Sequence, residues 1–264
     1  MRFFPCLLGI FLAAVGVFAF GQTTQHIVDV PTRVGVTNRI LVLAPPNPKA
    51  TVMLMAGGHG GLQMFPNGSI AWGEGNFLVR SKQLFVDQGV AVIVVDAPSD
   101  RQFAPFLVGF RQTREHAADL KAIMAWTREN LKTPVWVVGT SNGTLSTAAM
   151  ALQLQGADAP DGIVLTSSVL RLPSGGGRPV PEMPLEKIHI PVLVVHHEND
   201  ACQWCQFKHI QGLTSKLTNS PRVELMTFKG GVANGDPCEA FHYHGFNGIE
   251  AQVAQRMVAW ITSQ

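Results

Sequence analysis

The stretch from residue 134 to residue 156 places the strongest constraint on the fold of this chain. Residues 135–138 form an apolar run of strand length, rich in residues with high β propensity. The turn GTSNG at residues 139–143 follows, and helical spacing then predicts a helix over residues 142–155 that stops at Gly156. The sequence therefore predicts a strand, a tight glycine-flanked turn and a helix, in that order.

This turn points to chemistry at Ser141. A G-x-S-x-G sequence between a strand and a helix is typical of a nucleophile elbow, and Gly139 and Gly143 are the small neighbours that such a strained turn needs. The following helix directs its N-terminal N–H groups and the positive end of its dipole at the serine hydroxyl, where an oxyanion would form. The pattern predicts Ser141 as a nucleophile. The alternative is a strand–helix turn whose glycines serve close packing alone.

Composition and charge bound the class of protein. The chain has 264 residues, 46% of them hydrophobic and 14% charged, which is enough for one sizeable core and predicts a single domain over residues 22–264. The formal net charge of +2 is too balanced to favour nucleic acid or an acidic membrane surface as a partner.

Residues 1–21 have the composition of a secretory signal peptide. Arg2 supplies the positive charge, an apolar stretch follows, and Ala19 and Gly21 are the small residues of a cleavage site before Gln22. We therefore predict a secreted or periplasmic protein with no stable membrane association after signal cleavage. The alternative is an uncleaved membrane anchor, because the apolar stretch is close to spanning length.

The rest of the chain alternates apolar strands with amphipathic helices. Such alternation predicts an α/β fold, with a mostly parallel central sheet and helices on both faces, whose ligands bind beyond the carboxyl ends of the strands. Short strands at residues 26–30, 32–36 and 39–43 are predicted to form hairpins at one edge of the sheet. The remaining predicted strands are 51–55, 91–95, 135–138, 162–166, 191–195 and 223–228, and the remaining predicted helices are 77–88, 112–131, 201–217 and 247–263.

The loops at the predicted strand ends carry the polar chemistry. A glycine-rich loop, GGHGG at residues 57–61, follows one strand and can bring backbone N–H groups close to a ligand. A serine nucleophile needs a base, and the base needs an orienting carboxylate. Asp200 stands a few residues past a strand end, and His244 stands just before the last helix. The predicted order is Ser141, Asp200, His244.

These motifs, in this order and at these strand ends, resemble the α/β-hydrolases over essentially all of the chain after residue 35. The residues that carry the resemblance are HGG after the third strand, GTSNG after the fifth, HHEND after the seventh and HGF after the eighth. The resemblance implies Ser141 as nucleophile, Asp200 as acid and His244 as base, with no cofactor.

The resemblance also implies oxyanion donors and shows two departures. The implied donors are the N–H groups of Asn142 and of the Gly60-Gly61 loop. His197 stands where many relatives have a glycine, and Thr140 stands where a histidine is more frequent. Neither departure removes a catalytic group, and both leave the substrate class open.

Other residues compete for the roles of acid and base. Asp200 has the alternative role of capping the following helix, and Glu198 and Asp161 are the next candidates for the acid. His242 competes with His244 for the base, and His244 is favoured because it adjoins a glycine and the start of a helix.

A metal site is a further alternative. Adjacent histidines at a strand end usually point in opposite directions, so we predict no metal. The residues that the metal alternative would use are His196, His197, Asp200, His242 and His244.

Three more polar residues and one histidine follow early strands. Asp96, Asp100 and Arg101 are predicted to form a turn or an ion pair. The alternative makes Arg101 a possible contact for an acidic group of the substrate. His59 is predicted to be a packing residue of its loop rather than a base.

The cysteines left after signal cleavage are Cys202, Cys205 and Cys238. In an oxidising compartment two of them would pair and one would stay free. A bridge to Cys238 would join the loops that carry Asp200 and His244. The Cys202–Cys238 pairing is favoured, and the Cys205–Cys238 pairing stays open.

The predicted function is hydrolysis of an ester-type bond in a small-molecule substrate through an acyl-enzyme. Loops 62–75 and 170–187 are predicted to wall the pocket. Because His244 must be neutral to act as a base, activity is predicted to fall below about pH 6.5. The alternatives are a peptidase or amidase with the same triad and a non-catalytic binding protein on the same fold.

Overall fold

A computed structural model describes residues 22–172 and 177–263. The predicted signal peptide, residues 1–21, lies outside the described residues. Within the described ranges, no helix combines the length and the apolar character needed to cross a membrane.

One eight-stranded sheet organises the fold, with the spatial order β1-β2-β4-β3-β5-β6-β7-β8. β2 pairs antiparallel with β1 and with β4, and every other neighbouring pair is parallel. This mostly parallel sheet confirms the predicted fold class. The strands are β1 Thr24–Arg33, β2 Val36–Ala44, β3 Thr51–Met55, β4 Ala91–Pro98, β5 Val135–Thr140, β6 Gly162–Thr166, β7 Val192–His197 and β8 Val223–Phe228.

Helices cover both faces of the sheet, as predicted. Successive side chains of a strand point to opposite faces, so Met53 and Val137 enter one core while Leu54 and Val138 enter the other. The first core is closed by α3 Arg114–Leu131, α4 Gly143–Gln153 and α5 Gln211–Thr214. The second is closed by α1 Phe77–Arg80, α2 Lys82–Val86 and α6 Glu250–Thr262.

The predicted edge hairpins are one hairpin of two long strands. β1 and β2 meet at a turn formed by Val34 and Gly35, where Gly35 has a φ of 71°. The prediction divided β1 at Pro31, but the proline lies on an edge strand and the register shifts beside it. An edge strand tolerates proline because its outward N–H needs no ladder partner.

The helix predicted over residues 201–217 is wrong. The chain there forms tight turns, a short 3₁₀ segment Phe207–His209 and only the four-residue α5. The Asp200 carboxylate accepts a hydrogen bond from the N–H of Cys202, and the Cys205 N–H donates to the Cys202 carbonyl. These contacts, with the disulfide at Cys202, hold the segment in turns.

The last helix begins three residues later than predicted, at Glu250. Gly248 has a φ of 84°, which lies outside the helical region. The Asn247 side chain donates to the carbonyls of Val232 and Phe241 and so ties the preceding turn to the histidine loop.

Candidate active site

Ser141 lies on a strained turn at the carboxyl end of β5, in the middle of the sheet. Its φ of 51° is in the left-handed region that non-glycine residues seldom adopt. A Cβ at Gly139 would lie 2.6 Å from the carbonyl oxygen of Gly143, and a Cβ at Gly143 would collide with the carbonyl of Met55 on β3. Both positions therefore require glycine, and the predicted strand–turn–helix is confirmed.

Asp200 and His244 meet beside this turn. The Nδ1 atom of His244 lies 2.9 Å from Oδ2 of Asp200, and both side chains are buried. Because a carboxylate only accepts, Nδ1–H is the donor, and Nε2 is left free to act as a base. The Ser167 hydroxyl donates to the His244 carbonyl at 2.7 Å and fixes the histidine backbone. The structure thus brings together the predicted acid and base.

Ser141 and His244 line the same cavity. The hydroxyl of Ser141 and the imidazole of His244, both in the described part of the chain, are not hydrogen-bonded to each other. Such catalytic hydrogen bonds are often long before substrate binds and tighten in the complex. Burial raises the pKa of the Cys205 thiol well above its ordinary value, and the Ser141 hydroxyl opposes that rise.

The environment of Asp200 keeps it ionised. Burial alone would raise the pKa of this carboxyl, but attraction to His244 and hydrogen bonds from His196 and His244 outweigh burial and hold the pKa below its usual range. A carboxylate that stays charged can stabilise an imidazolium on its partner.

His196 is a second histidine beside Asp200, a role that the sequence analysis missed. Its Nε2 donates to the Cys205 carbonyl at 2.6 Å and lies 3.5 Å from Oδ2 of Asp200. His197 points to the other side, where its Nε2 lies 2.8 Å from the Gly230 carbonyl. An apolar strand that ends in two histidines was the available signal, and alternation along β7 decides which one faces inward.

The histidines do not converge on a shared metal position. Among the residues that the structure describes, one group has metal-ligand atoms within 4.8 Å of one another, namely Cys202, Cys205 and His244. Cys202 has no thiolate to offer because its sulfur is in a disulfide. His244 has its Nδ1 committed to Asp200.

The disulfide joins Cys202 to Cys238 and leaves Cys205 as a buried free thiol. The favoured pairing is therefore confirmed, and the Cys205–Cys238 alternative is excluded. The bridge ties the loop that carries Asp200 to the loop that carries His244.

The glycine loop meets the cavity at a different position from the one that the resemblance implied. Gly57 and Gly58 line the cavity together with Ser141 and Asn142. Gly60 and Gly61 are not among the cavity-lining residues. They pack instead on remote side chains: a Cβ at Gly60 would strike the Arg111 guanidinium, and one at Gly61 would strike the ring of Phe106.

Three backbone N–H groups at this edge are free to bind a ligand oxygen. In the described ranges, the N–H groups of Gly57, Gly58 and Asn142 have no protein acceptor, and all three residues line the cavity. Asn142 is the N-cap of α4, so the positive end of the helix dipole lies at this edge. The geometry suits a negatively charged oxygen close to Ser141.

The competing acids and base lie in other interactions. Glu198 bonds Thr227 and Lys229. Asp161 accepts hydrogen bonds from the N–H of Val135 and from Arg128. His242 packs its ring edge-on against Tyr243 and does not line the cavity.

The early polar loop serves structure. Arg101 stacks over the ring of Phe110 at 4.5 Å and does not line the cavity. Asp100 forms an ion pair with Arg33, and Asp96 accepts backbone N–H groups of residues 62–64.

His59 packs between two aromatic rings. Its ring centroid lies 3.6 Å from that of Trp72 and 4.2 Å from that of Phe106. Its Nδ1 accepts the N–H of Gly61 at 3.1 Å. Both ring contacts and the hydrogen bond stabilise the loop, which is the packing role expected for it.

The cavity has a volume of about 420 Å³, and more of its wall is apolar than polar. Loop 62–75 contributes to the wall, as predicted. The other described wall is residues 238–241, beside the disulfide, rather than the described part of loop 170–187. The aromatic side chains that line the cavity are Trp72, Phe77, Trp204 and Phe241.

Comparison with proteins of known structure identifies the fold. No protein-family profile matches the sequence, and no curated protein matches it. An esterase from Pyrococcus furiosus superposes with a TM-score of 0.62 at 16% identity, covering 90% of this chain and 92% of its own. A dienelactone hydrolase from Anabaena variabilis has a TM-score of 0.62 at 14% identity, covering 91% of this chain and 98% of its own.

A third solved structure agrees. It is an alpha-beta serine hydrolase homologue from Coxiella burnetii, with a TM-score of 0.60 at 14% identity over 89% of this chain and 96% of its own. At these identities the structural similarity shows the fold alone. The chain has the α/β-hydrolase fold that the resemblance of its motifs implied.

Proposed function

We propose that this chain of the α/β-hydrolase fold is a serine hydrolase that cleaves ester-type bonds through Ser141, His244 and Asp200. The observation that carries the proposal is the 2.9 Å hydrogen bond between His244 and Asp200, beside a cavity that His244 shares with Ser141. A nucleophile on a strained turn, a base and a carboxylate that orients the base are the parts that acyl transfer needs.

The first half of the reaction forms an acyl-enzyme. Nε2 of His244 takes the proton of the Ser141 hydroxyl while the serine oxygen attacks the ester carbonyl carbon. The carbonyl oxygen becomes an oxyanion, which the N–H groups of Gly57, Gly58 and Asn142 are positioned to bind. The imidazolium then gives its proton to the leaving alkoxide, and the alcohol departs.

The second half repeats these steps with water. His244 removes a proton from a water molecule as the water oxygen attacks the acyl carbon on Ser141. The oxyanion forms in the same place. The imidazolium then gives its proton to the serine oxygen as the bond between that oxygen and the acyl carbon breaks, and the carboxylic acid is released. Asp200 stays ionised throughout and stabilises each imidazolium that forms.

The cavity supports a small, uncharged and partly apolar substrate. Its mostly apolar walls, which include four aromatic side chains, favour apolar acyl or alcohol groups, and the exposed Glu239 in its lining disfavours anions. Two of the similar structures are described as an esterase and a dienelactone hydrolase, which agrees with an ester-type bond. Secretion is part of the proposal and is supported by the composition of residues 1–21 and by the disulfide.

Labelling of the oxidised protein with a fluorophosphonate, followed by peptide mapping, tests the proposal. The expected result is one phosphonyl group on Ser141 of the wild type and none in His244→Ala. His242→Ala is the matched control, because His242 lies two residues away and outside the cavity, and it should be labelled like the wild type. Absence of label on wild-type Ser141 would overturn the triad.

Hydrolysis of matched substrates then separates esterase from amidase. A p-nitrophenyl ester and the p-nitroanilide of the same short acyl group differ only in the leaving group. The proposal expects turnover of the ester to exceed that of the anilide by at least 100-fold. Comparable rates on both would assign the triad to an amidase instead.

A further inference from the structure

We propose that Arg111 is a positioning residue, which holds the loop of Gly57 and Gly58 so that its N–H groups face Ser141. This inference rests on the proposed function, because it concerns the donors that would bind the oxyanion. Arg111 lies in the segment before α3, far from the glycine loop in sequence, and it does not line the cavity. It acts from behind the loop.

The contacts of Arg111 are almost all with the carbonyls of this loop. Its Nη2 lies 3.0 Å from the Ala56 oxygen, 3.2 Å from the Gly58 oxygen and 3.4 Å from the Gly57 oxygen. Its Nη1 donates to the Ser146 hydroxyl on α4 at 3.0 Å. One guanidinium therefore joins three successive carbonyls to the helix that follows the nucleophile.

The contacts of Arg111 with these carbonyl oxygens also fix the direction of the N–H groups in the same peptides. In a trans peptide, the C=O and the N–H of the next residue point in opposite directions. The peptides whose oxygens face Arg111 carry the N–H groups of Gly57, Gly58 and His59, which point away from the guanidinium. Gly57 lies directly against the nucleophile, because a Cβ at this position would be 3.0 Å from the Cβ of Ser141.

Asn142 fixes the same loop from the cavity side. Its Nδ2 donates to the Gly58 carbonyl at 3.1 Å, while its backbone N–H has no acceptor among the described residues and the residue lines the cavity. The loop and the start of α4, which carry the two sets of proposed oxyanion donors, are thus tied to each other.

The charge of Arg111 has no acidic partner. Among the described residues, no carboxylate lies within ion-pair distance of the buried guanidinium, and the neighbouring His116 imidazole hydrogen-bonds the neutral hydroxyl of Ser146 and packs against Phe110. An unpaired buried cation is unfavourable for stability. Burial lowers the pKa of Arg111 to about 9, so it is charged at neutral pH. A positive charge on the oxygen side of a peptide polarises it and makes its N–H a stronger donor.

Two variants of Arg111 test the inference. Arg111→Met keeps the length and removes the charge and the donors, and Arg111→Lys restores a charge that reaches fewer carbonyls. We expect the turnover number for ester hydrolysis to fall by about 100-fold in the methionine variant, the effect of a misplaced catalytic group. The KM should change by less than threefold, and the lysine variant should recover at least part of the turnover number.

Arg128→Met is the matched control. Arg128 also donates to loop carbonyls, those of Ala157 and Ala159, but on α3 at the other end of the sheet. Its loss should leave the turnover number unchanged. A methionine variant of Arg111 that keeps its turnover number within threefold of wild type would overturn the inference, as would a lysine variant no better than methionine.

Amide hydrogen exchange gives a readout that does not depend on activity. The hydrogen-bonded amides of this loop, those of Gly61 and Leu62, should exchange at least tenfold faster in Arg111→Met than in the wild type and in Arg128→Met. If wild-type Ser141 takes no phosphonate, the proposed function fails, and unchanged exchange in Arg111→Met would overturn the inference separately. Ser146→Ala, a milder variant, should show a smaller acceleration if the methionine variant does not fold.

Discussion

Asp200 shows how one residue is kept in the state that its role requires. It is buried between two imidazoles, and it also accepts the N–H of Cys202 at 3.0 Å. The contact with His244 orients the proposed base, whereas the 3.5 Å contact with His196 is longer and is shared with a carbonyl. The two histidines should therefore differ in their effect on catalysis.

Replacement of Asp200 should separate orientation from packing. Asp200→Asn keeps the shape of the side chain but loses the charge and allows the wrong tautomer of His244, so we expect ester turnover to fall by about 10³–10⁴-fold. His196→Gln keeps a donor near the Cys205 carbonyl and should reduce turnover by less than tenfold. Steady-state kinetics on an ester distinguish the two variants, and a tenfold loss or less in Asp200→Asn would contradict the assigned acid.

His116 carries a stability effect that depends on pH. Burial, followed by the positive charges of Arg111 and Arg33, lowers its pKa to about 3 from an ordinary value of 6.5. Between those values the unfolded chain binds a proton that the folded chain does not. The free energy of unfolding therefore falls as pH falls, by as much as about 1.4 kcal/mol per pH unit.

The slope of stability against pH tests this effect. Urea unfolding between pH 6 and pH 4 measures how the free energy of unfolding changes with pH. We expect this slope to be smaller in His116→Gln than in the wild type by about the amount that one proton contributes, whatever the stability of the variant at pH 7. His189→Gln, at an exposed histidine, is the matched control and should keep the wild-type slope. Equal slopes in wild type and His116→Gln would show that His116 is protonated in the folded protein.

At the scale of elements, the unit β5–turn–α4 depends on backbone contact with β3. A Cβ at Gly143 would collide with the Met55 carbonyl, and no side-chain rotation can relieve a clash between a Cβ and a backbone oxygen. We expect Gly143→Ala to reduce the free energy of unfolding by about 2–3 kcal/mol. It should also displace Ser141 and lower the ester turnover.

Gly212→Ala supplies the control for that prediction. Gly212 lies in α5, and a Cβ there would meet nothing within 4 Å. Alanine favours a helix over glycine, so this variant should be more stable by about 0.5–1 kcal/mol. Urea unfolding measures both, and a neutral Gly143→Ala would contradict the close approach of α4 to β3.

Elements set by local patterns were predictable from the sequence. The apolar runs of β3 to β8 and the glycines of the elbow mark strand ends and their order, which sufficed to bring Asp200 and His244 into one candidate site. The segment after Asp200 was not predictable, because a disulfide to a residue 36 positions away holds it in turns. The spacing of apolar residues within a segment carries no information about a covalent bond to such a distant residue.

The glycine loop shows the same limit at finer detail. The GGHGG sequence has four glycines, and nothing local decides which of them lie beside Ser141. Arg111 and Phe106, from a segment about fifty residues away, occupy the space beside Gly60 and Gly61 and leave Gly57 and Gly58 at the cavity. The family resemblance pointed to Gly60 and Gly61, whereas the two glycines of this loop that line the cavity are Gly57 and Gly58.

At the scale of the whole molecule, the three candidate catalytic residues have different supports. Ser141 lies on a turn built into the middle of the sheet, between β5 and α4. Asp200 and His244 lie on loops after β7 and β8, near the other edge, and those loops contain little regular structure. The Cys202–Cys238 disulfide joins the two loops directly, so it should affect the alignment of acid and base as well as stability.

Removal of the disulfide should therefore lower both the melting temperature and the turnover number. Closure of a loop with a sequence separation of 36 stabilises the fold by about 3–4 kcal/mol in the chain-entropy model, or about 6–16 °C for a domain of this size. We expect that loss in the double variant Cys202→Ser with Cys238→Ser, together with at least a tenfold fall in ester turnover. Cys205→Ser, which removes the free thiol and keeps the bridge, should retain the melting temperature to within 3 °C. A double variant that melts lower but turns over normally would assign the bridge to stability alone, because the two loops would then hold Asp200 and His244 in place without it.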